Sequence, residues 1–480
     1  MTYEAVIGLE IHVELNTPTK LFCDCPNDPG NAPNTHICPT CLWLPGALPQ
    51  LSRMVVEKAV TACLALNCTI QTHSAFDQKV YYYPDLPKGY QLSQHHRPLA
   101  RNGYLDVDTG SGKARHLRIH HVHLEEDVAK LIHETEDRTP VSLVDFNRAG
   151  VPLIEIVTEP DIRTPEEAMA FLKLLRTRIR YTGSSECSLE KGSMRVDANI
   201  SIRPEGSAVF NTKVEVKNMN SIQHVGDAVA YEIQRQTLCI EKGDPVVLHT
   251  RLWDPDKQVT APMRDKFAGP CIPDPSVPAI VVEKAWLAKK RAALPEMPDR
   301  VQERFVFTYG LARDEAKTLS QERDLAQFFE TVAAAYPHPR KAATWIISQL
   351  VPAMRDQGRT VSDICLTPDR FIALLGLLDA DEINAAAAKA VLVQMLTDDR
   401  PPKAIVDAAG FRQVSDTRAI EEIVNNILAE HPSDAADYRA GNLKVMGFFM
   451  GQAMKAAKGK ANPKVMKEIL TARLSEPLEP

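Results

Sequence analysis

The chain has 480 residues, 44% of them apolar, and a net charge of −6. This length allows two or three domains, each with its own core, and the near-neutral charge does not indicate a general nucleic-acid binder. No apolar run is long enough to span a bilayer, and the first residues lack the pattern of a signal peptide. Because ten cysteines in such a chain are more typical of thiols or metal ligands than of disulfides, we expect a cytoplasmic protein.

The first predicted element is a strand from Val6 to Leu15. Its apolar residues alternate with Glu10, His12 and Glu14, which is the period of a half-buried strand. Glu10 and His12 would lie about 6.5–7 Å apart along one face. Crowding carboxylates around an imidazole is unfavourable unless a cation or a substrate ammonium lies between them. Taken alone, the stretch favours the alternative, a solvated sheet face.

Two close pairs of cysteines follow this strand. Cys23 and Cys25 are separated by twelve residues from Cys38 and Cys41, and the turn-rich segment between the pairs can fold back on itself. Four thiolates brought together in this way form a tetrahedral site that suits zinc. Because four protein ligands leave no open position, such a zinc ion would be structural. A redox dithiol and four free thiols remain alternatives.

A helix is predicted from Val55 to Leu66, and a rigid aromatic loop from Phe76 to Gln94. The loop contains three consecutive tyrosines, two prolines and a glycine, and Lys79 and Lys88 lie within it. Aromatic faces next to cations suit a nucleotide or the end of an RNA. An ordinary packed surface loop fits the same residues.

Strand alternation returns in four later segments, with apolar residues on one face and His, acidic, Lys, Arg and Asn residues on the other. These segments are 117–127, 151–161, 194–203 and 213–217. Two helices are signalled at 164–180, by a capping-box pattern with Pro at the first position, and at 221–241. The prediction is an α+β fold in which a mostly antiparallel sheet forms a polar cradle and helices cover its apolar face, followed by all-helical domains.

Composition divides the chain into three parts. Residues 1–293 form the predicted catalytic cradle domain with its zinc knuckle at 23–41, residues 294–409 a helical domain, and residues 410–480 a basic helical tail domain of two or three helices. Between Asn442 and Arg473 the tail has seven Lys or Arg residues and one acidic residue. This asymmetry suits a polyanionic partner, although a solvated helical face explains it equally well.

Several motifs resemble those of a known family. They are Val6–Leu15, Tyr83–Tyr90, His123–Asp127, Leu143–Arg148, Pro152–Val157, Glu159–Asp161, Asp197–Asn199, Lys217–Ser221 and Gly459–Pro463. Together they resemble the B subunit of tRNA-dependent amidotransferases, over nearly the whole chain. The resemblance implies a glutamine-dependent carbon–nitrogen ligase of protein biosynthesis. Such an enzyme uses ATP to phosphorylate the side-chain carboxylate of Asp-tRNA(Asn) or Glu-tRNA(Gln), and ammonia then displaces the phosphate.

The resemblance also implies cofactors, partners and site residues. Mg²⁺ would be held by His12, Glu125 and Glu155 with Glu10 nearby, and these four are the predicted catalytic residues. Zn²⁺ would be held by the four cysteines. Ammonia would come from an A-type amidase subunit of a heterotrimer that includes a small C-type subunit. The residues predicted to bind the substrate or nucleotide are Lys79, Tyr81, Tyr83, Lys88, Asn199, Lys217 and Asn218. Those predicted to bind tRNA are Lys455, Lys458, Lys460 and Lys464.

The chain departs from the family pattern in three places. Gln78 and Val80 replace Arg and Asn, and Trp43 stands where the zinc loop has Gly. After Met263 the chain lacks a Tyr-Arg-Tyr-Phe run of the family and continues through a proline-rich segment. One alternative is therefore a divergent paralogue that amidates another ATP-activated carboxylate. A non-catalytic tRNA-binding scaffold is a second, against which the retained Glu10, His12, Glu125 and Glu155 argue.

Overall fold

The structure, a computed structural model, describes residues 2–28, 30–109, 114–136, 139–263, 269–412, 417–457 and 463–475. The chain divides into two compact units, residues 1–298 and 299–480. Among the described residues, all strands belong to the first unit, and the second is helical. The predicted division of the helical part at residues 409 and 410 stays a prediction.

The described part of the first unit combines strands with four helices. The strands are β1 (Tyr3–Glu14), β2 (Thr69–Ile70), β3 (His73–Val80), β4 (Tyr90–Arg97), β5 (Ala100–Asp108), β6 (Ala114–Glu126), β7 (Lys130–Glu136), β8 (Thr139–Asp145), β9 (Pro152–Thr158), β10 (Met194–Pro204), β11 (Val214–Lys217), β12 (Thr250–Asp254), β13 (Val259–Pro262), β14 (Cys271–Pro273) and β15 (Ile280–Val281). The helices are α1 (Arg53–Ala65), α2 (Pro165–Tyr181), α3 (Ile222–Lys242) and α4 (Lys284–Ala292).

A nine-stranded sheet forms the centre of this unit, in the order β13-β12-β11-β10-β1-β9-β6-β5-β2. Its neighbouring strands are antiparallel except for β11 and β12, which are parallel. β1 lies in the middle, where His12 is opposite Arg195 on one side and Glu155 on the other. The predicted α+β fold with a mostly antiparallel sheet is confirmed.

The alternation of β1 explains how the sheet is covered. Ile7, Ile11 and Val13 have no exposed surface and join a core to which α1, α2 and α3 contribute, while the opposite face keeps the polar side chains. The three predicted helices are confirmed within two residues at each end. Gly243 ends α3 with a φ of +79°, a left-handed conformation that glycine adopts without steric cost.

The predicted capping box of α2 forms only in part. Thr164 accepts a hydrogen bond from the backbone N–H of Glu167, as expected. The Glu167 carboxylate, however, accepts from the backbone N–H of Arg163 at 2.8 Å and from the Arg115 side chain at 2.9 Å. The glutamate therefore fixes the residue before the cap and ties α2 to β6.

Two smaller sheets accompany the large one. β3 pairs with β4, β14 and β15, and β7 pairs with β8. The predicted loop over 76–94 is therefore wrong at both ends, because its first and last residues belong to β3 and β4 and the loop itself spans residues 81–89. The proline-rich segment after Met263 is likewise not all loop. Its β14 pairs with β3 so that Cys271 is opposite Lys79.

The remaining helices begin at residue 298. They are α5 (Pro298–Tyr309), α6 (Arg313–Leu319), α7 (Arg323–Ala335), α8 (Pro339–Trp345), α9 (Val351–Asp356), α10 (Pro368–Asp379), α11 (Ala385–Met395), α12 (Pro402–Ala409), α13 (Thr417–Glu430), α14 (Pro432–Arg439), α15 (Val445–Ala456) and α16 (Pro463–Ser475). A π-helical turn (Ile346–Leu350) joins α8 to α9, and a 3₁₀ turn spans Val361–Asp363.

The final segment packs its own apolar cluster from α13, α14, α15 and α16, including Ile420, Phe449 and Leu470. The prediction of two or three helices there is wrong, since the described residues form four. Of the four, α14 carries the weakest sequence signal, because it is short and its polar sequence has no apolar period. Within the described part of the chain, no helix combines the length and the hydropathy needed to cross a membrane.

Candidate functional site

Three adjacent strands bring acidic and imidazole side chains to one point on the polar face of the large sheet. Nε2 of His12 on β1 lies 3.4 Å from a carboxylate oxygen of Glu155 on β9 and 3.9 Å from one of Glu125 on β6. Glu10 lies 4.0 Å from the same nitrogen, and Nε2 of His123 lies 3.0 Å from Glu155. We call these five residues the carboxylate–histidine cluster. All four predicted catalytic residues belong to it.

The cluster has a buried floor and an accessible rim. The side chains of Glu125, Glu155 and His123 are at most 8% exposed, whereas His12 is 17% and Glu10 29% exposed. Nδ1 of His123 is buried without a hydrogen-bond partner among the described residues. Nε2 of His123 and Oε2 of Glu125 are also buried, and their close contacts, 3.0 Å to Glu155 and 3.7 Å to Lys79, are ion pairs without the alignment of a hydrogen bond. Buried polar atoms without partners are costly and rare, so this floor is incomplete by itself.

The charges in the cluster depend on one another. Burial opposes the charged form of Glu155, but His123 and His12 outweigh it and hold its pKa well below the ordinary value. Burial likewise lowers the pKa of His123, yet Glu155 and Glu125 raise it to about 10. The pKa of Glu10 is raised, by burial and then by Glu155. The carboxylates of the floor therefore keep their charge and require cations beside them.

The donor atoms of the cluster fit a divalent cation. Two overlapping groups each have one ligand atom per residue within 4.8 Å of the others: Glu10, His12 and Glu155, and His123, Glu125 and Glu155. Carboxylate oxygens are the ligands that Mg²⁺ prefers, and the atoms without hydrogen-bond partners are among these donors. His123 was not among the predicted site residues, although the alternation of its strand places it on the same face as Glu125.

β3 and β4 supply further partners for the floor. Lys79 Nζ lies 3.7 Å from Glu125, and the Gln91 side chain donates to the same carboxylate at 2.6 Å. Burial and the nearby Asp85 raise the pKa of Tyr81, so this phenol stays neutral. Gln91 was missed because residues 76–94 were interpreted as a loop, in which no side-chain direction can be predicted.

The knuckle formed by Cys23, Cys25, Cys38 and Cys41 is a second group of ligands. Their sulfur atoms lie within 4.8 Å of one another. Cys25 and Cys41 are 3.9 Å apart, close to the roughly 3.8 Å expected between two sulfurs around a tetrahedral zinc ion. The backbone N–H of Cys38 donates to the Cys41 sulfur at 3.0 Å. Contact with Cys23 lowers the pKa of the Cys41 thiol. These four residues fit a structural metal.

Comparison with known proteins identifies the family of the chain. A family model described as the GatB/GatE catalytic domain matches residues 5–288, and one described as the GatB domain matches residues 327–474. The chain belongs to this family. A B subunit of the aspartyl/glutamyl-tRNA(Asn/Gln) amidotransferase from Syntrophus aciditrophicus is 59% identical to this GatB-family chain over 474 residues, with 99% of each chain covered.

Two further relatives are also named as B subunits of aspartyl/glutamyl-tRNA(Asn/Gln) amidotransferases. The protein from Carboxydothermus hydrogenoformans is 44% identical over 478 residues, with 99% of each chain covered. That from Thermoanaerobacter pseudethanolicus is 45% identical over 479 residues, covering 99% of this chain and all of its own. The resemblance predicted from the motifs is confirmed. This GatB-family chain matches these three relatives over 99% or more of their length.

The predicted substrate-binding residues of the GatB-family chain differ in their exposure and in their side-chain partners. The side chain of Lys88 is only 8% exposed and pairs with Glu126, and its ammonium lies 4.7 Å from the ring centres of both Trp43 and Tyr90. A cavity of about 210 Å³ lies between this group and the knuckle, and Cys23, Cys41 and Gly150 are among its lining residues. Lys88 is thus enclosed by its own partners rather than open to the cradle.

Asn199 lies on β10, Lys217 is the last residue of β11, and Asn218 follows it directly. Lys217 pairs with Asp197 and lies 3.0 Å from Glu215, and Asp197 is opposite Glu10 in the sheet. Asn218 donates its amide to the backbone of Trp253 at 3.1 Å, so part of its hydrogen-bonding capacity is already used within the fold. Tyr83 is 44% exposed in the loop between β3 and β4.

The predicted tRNA-binding lysines lie in the last two helices and the segment between them. Lys455 on α15 and Lys464 on α16 are exposed. Lys458 and Lys460 lie outside the described residues. The basic character of this segment therefore remains a property of the sequence, and its role as a tRNA contact stays a prediction.

Proposed function

We propose that the chain is the ATP-dependent subunit of a tRNA-dependent amidotransferase. It phosphorylates the side-chain carboxylate of Asp-tRNA(Asn), Glu-tRNA(Gln) or both, and ammonia then replaces the phosphate. An amidase subunit releases that ammonia from glutamine, and a small third subunit completes the heterotrimer. The observation that carries the proposal is the carboxylate–histidine cluster, in which acidic and imidazole side chains from three strands meet with their ligand atoms within 4.8 Å of one another in two overlapping groups.

The residues of the cluster have distinct parts in this proposal. Glu125, Glu155 and His12, with Glu10 and His123 beside them, would hold Mg²⁺. When bound, this ion supplies positive charge that offsets the charge of the phosphate groups. The accessible rim, Glu10 and His12, is the side from which substrate approaches. Lys79, whose ammonium is near Glu125, adds a second cation there and suits the binding of a phosphate oxygen.

The remaining parts of the chain support this chemistry without taking part in it. The knuckle would hold Zn²⁺ with four thiolates and so leave no position open for substrate. The exposed lysines of α15 and α16 would contact tRNA phosphates. Deleting residues 410–480 should then flatten the salt dependence of tRNA binding, and an unchanged slope would assign these lysines to solvation alone.

The test replaces one carboxylate of the floor. Glu125→Gln keeps the size of the side chain and removes its charge. Amidated tRNA, measured by mass spectrometry with the partner subunits, ATP and glutamine, should fall by about 100-fold or more, while tRNA affinity changes little. Glu190→Gln, an exposed residue of the same unit, is the matched control. Normal amidation by Glu125→Gln would remove the cluster from the mechanism.

A different substrate is the second candidate, and β14 is the observation that favours it. This strand belongs to the divergent segment and pairs with β3 at Lys79. Asp274, just after it, accepts a hydrogen bond from Gln78 at 2.7 Å, so two departures from the family pattern contact each other. ADP formation with free carboxylates, combined with no amidated tRNA, would select this candidate.

A further inference from the structure

Lys20 is a buried lysine inside the knuckle. Its relative exposure is 0%, which is rare for a residue that normally keeps its ammonium in water. Its backbone N–H donates to the carbonyl of Cys25 at 3.1 Å. The ammonium donates to the carbonyls of His36 at 2.9 Å and Phe146 at 3.2 Å. The backbone of Lys20 thus contacts the first cysteine pair, and its side chain joins the segment before the second pair to the segment that precedes β9.

The contacts of Lys20 do not balance its charge. Both acceptors are neutral carbonyl groups, and within the described part of the chain no carboxylate lies in ion-pair distance of its ammonium. A buried ion without a counter-ion is strongly unfavourable, even when its hydrogen bonds are made. The charge of Lys20 must therefore be balanced by a group that is not a carboxylate.

The knuckle supplies such a charge. Four thiolates around one Zn²⁺ carry an excess of about two negative charges. Gly150 lies against the side chains of both Lys20 and Cys41, because a Cβ atom there would lie 3.6 Å from Cδ of Lys20 and 3.8 Å from Cβ of Cys41. Contact with Cys23 is the main cause of the lowered pKa of Cys41, and Lys20 acts in the same direction.

We propose that Lys20 is the buried counter-ion of the metal–thiolate centre and that each stabilises the other in the fold. The inference concerns the knuckle alone and does not depend on the amidation reaction. Lys20 is a positioning residue, because its ammonium also holds the carbonyl of Phe146. Loss of the metal would leave this ammonium uncompensated and would remove its contribution to holding the segment before β9.

The proposal predicts that the effect of removing Lys20 on the melting temperature depends on whether the metal centre can form. In the zinc-loaded protein, Lys20→Met should lower the melting temperature, because it removes the counter-ion and two hydrogen bonds. In the Cys38→Ser background, which cannot form the full centre, the same substitution should leave the melting temperature unchanged or raise it, because it removes an unbalanced buried charge. A lysine that only fills space or only makes hydrogen bonds would lower the melting temperature equally in both backgrounds.

The second readout is the affinity for Zn²⁺, measured on the full chain by competition with a chromogenic chelator. Lys20→Gln retains a hydrogen-bond donor and removes the charge, and it should weaken binding by about 10- to 100-fold, as expected for a partner of metal ligands. Lys58→Gln is the control, because Lys58 also donates to a carbonyl, that of Gly183, at 2.8 Å. It should bind Zn²⁺ as the parent does.

Three results would overturn the proposal. The first is an affinity of Lys20→Gln for Zn²⁺ equal to that of the parent. The second is equal destabilisation by Lys20→Met in the two backgrounds. The third is failure of Lys20→Met to fold in a Cys38→Ser background that itself folds, because removal of an uncompensated charge must be tolerated there.

Discussion

The knuckle and the carboxylate–histidine cluster are two candidate metal sites in one unit, and they are built in opposite ways. The knuckle takes four ligands from one segment, residues 23–41, whose described residues form neither helix nor strand. The cluster takes its ligands from three strands that are far apart in the sequence and already fixed by the sheet. A metal in the knuckle therefore orders its own ligands, whereas the ligands of the cluster are in place before a cation arrives.

This difference indicates where each site can use binding energy. In the knuckle the energy is needed to close a loop of low intrinsic stability. In the cluster, strand pairing already orders the ligands, so the binding energy of a cation is not needed for folding. That energy can instead stabilise a bound substrate or its transition state. Three predictions test this comparison.

The largest effect is expected for Glu155→Gln. Glu155 belongs to both ligand groups of the cluster, so its loss affects each. The rate of ADP formation with the complete complex should fall by about 100- to 1,000-fold, while zinc content and circular dichroism match those of the parent. If instead the sheet unfolds and the remaining folded protein is fully active, the cluster is structural and the comparison fails.

Cys38→Ser should have the reverse profile. It removes one thiolate of the knuckle and should destabilise the fold by roughly 4 kcal/mol, in the range of mutations that remove a structural metal. ADP formation per folded molecule should change little. The measurements are thermal unfolding and bound zinc, with Cys365→Ser, an exposed cysteine of the second unit, as the control. Full stability without zinc would show that the four thiols need no metal.

The smallest effect concerns a third buried charge, Glu232 on α3, whose charge is balanced within the chain. Its carboxylate lies 2.9 Å from Arg235 and 3.1 Å from Arg251. Burial raises the pKa of Glu232, but hydrogen bonds from Arg235 and Thr260 outweigh it, and the net pKa lies below the ordinary 4.5. Its ionised form thus stabilises the fold above pH 4.5, and this contribution disappears as the pH falls through the lower, folded value.

Glu232→Gln tests this assignment through the slope of stability against pH rather than through stability itself. The parent should lose free energy of unfolding below pH 4.5 more steeply than the variant does. Parallel curves would mean that the carboxylate does not titrate with unfolding in this range. A chelator that removes the knuckle metal should lower both curves by the same amount and leave the difference between their slopes unchanged.

Sequence alone predicted those parts of the two sites that are encoded by a regular alternation of residues or by the spacing of cysteines. Alternation placed Glu10 and His12 on one face, and the spacing of the cysteines predicted the knuckle. It could not predict which strands are neighbours, and the approach of His12 to Glu155 depends on that register. Gln91 carried no signal, because its strand was interpreted as a loop.

Lys20 illustrates a feature that sequence patterns do not predict, namely the burial of a charged side chain. Nothing in its sequence neighbours marks this side chain as buried, because lysine is usually exposed. Trp43 is similar: it occupies a left-handed conformation with a φ of +55°, and its contact with Lys88 depends on tertiary structure. Charges that are balanced across the fold become visible only when the partners are placed together.

The pairing of β14 with β3 has a consequence for how this protein can change. The hydrogen bonds between these strands use backbone atoms, so side chains of β14 can be exchanged without moving the backbone of Lys79. Gly269, two residues before β14, cannot be exchanged in this way, because a Cβ atom there would lie 2.4 Å from the carbonyl oxygen of Val80. Substitutions should therefore be tolerated at Cys271 and Ile272 and not at Gly269. The side chains next to Lys79 can thus vary while the backbone position of Lys79 stays fixed.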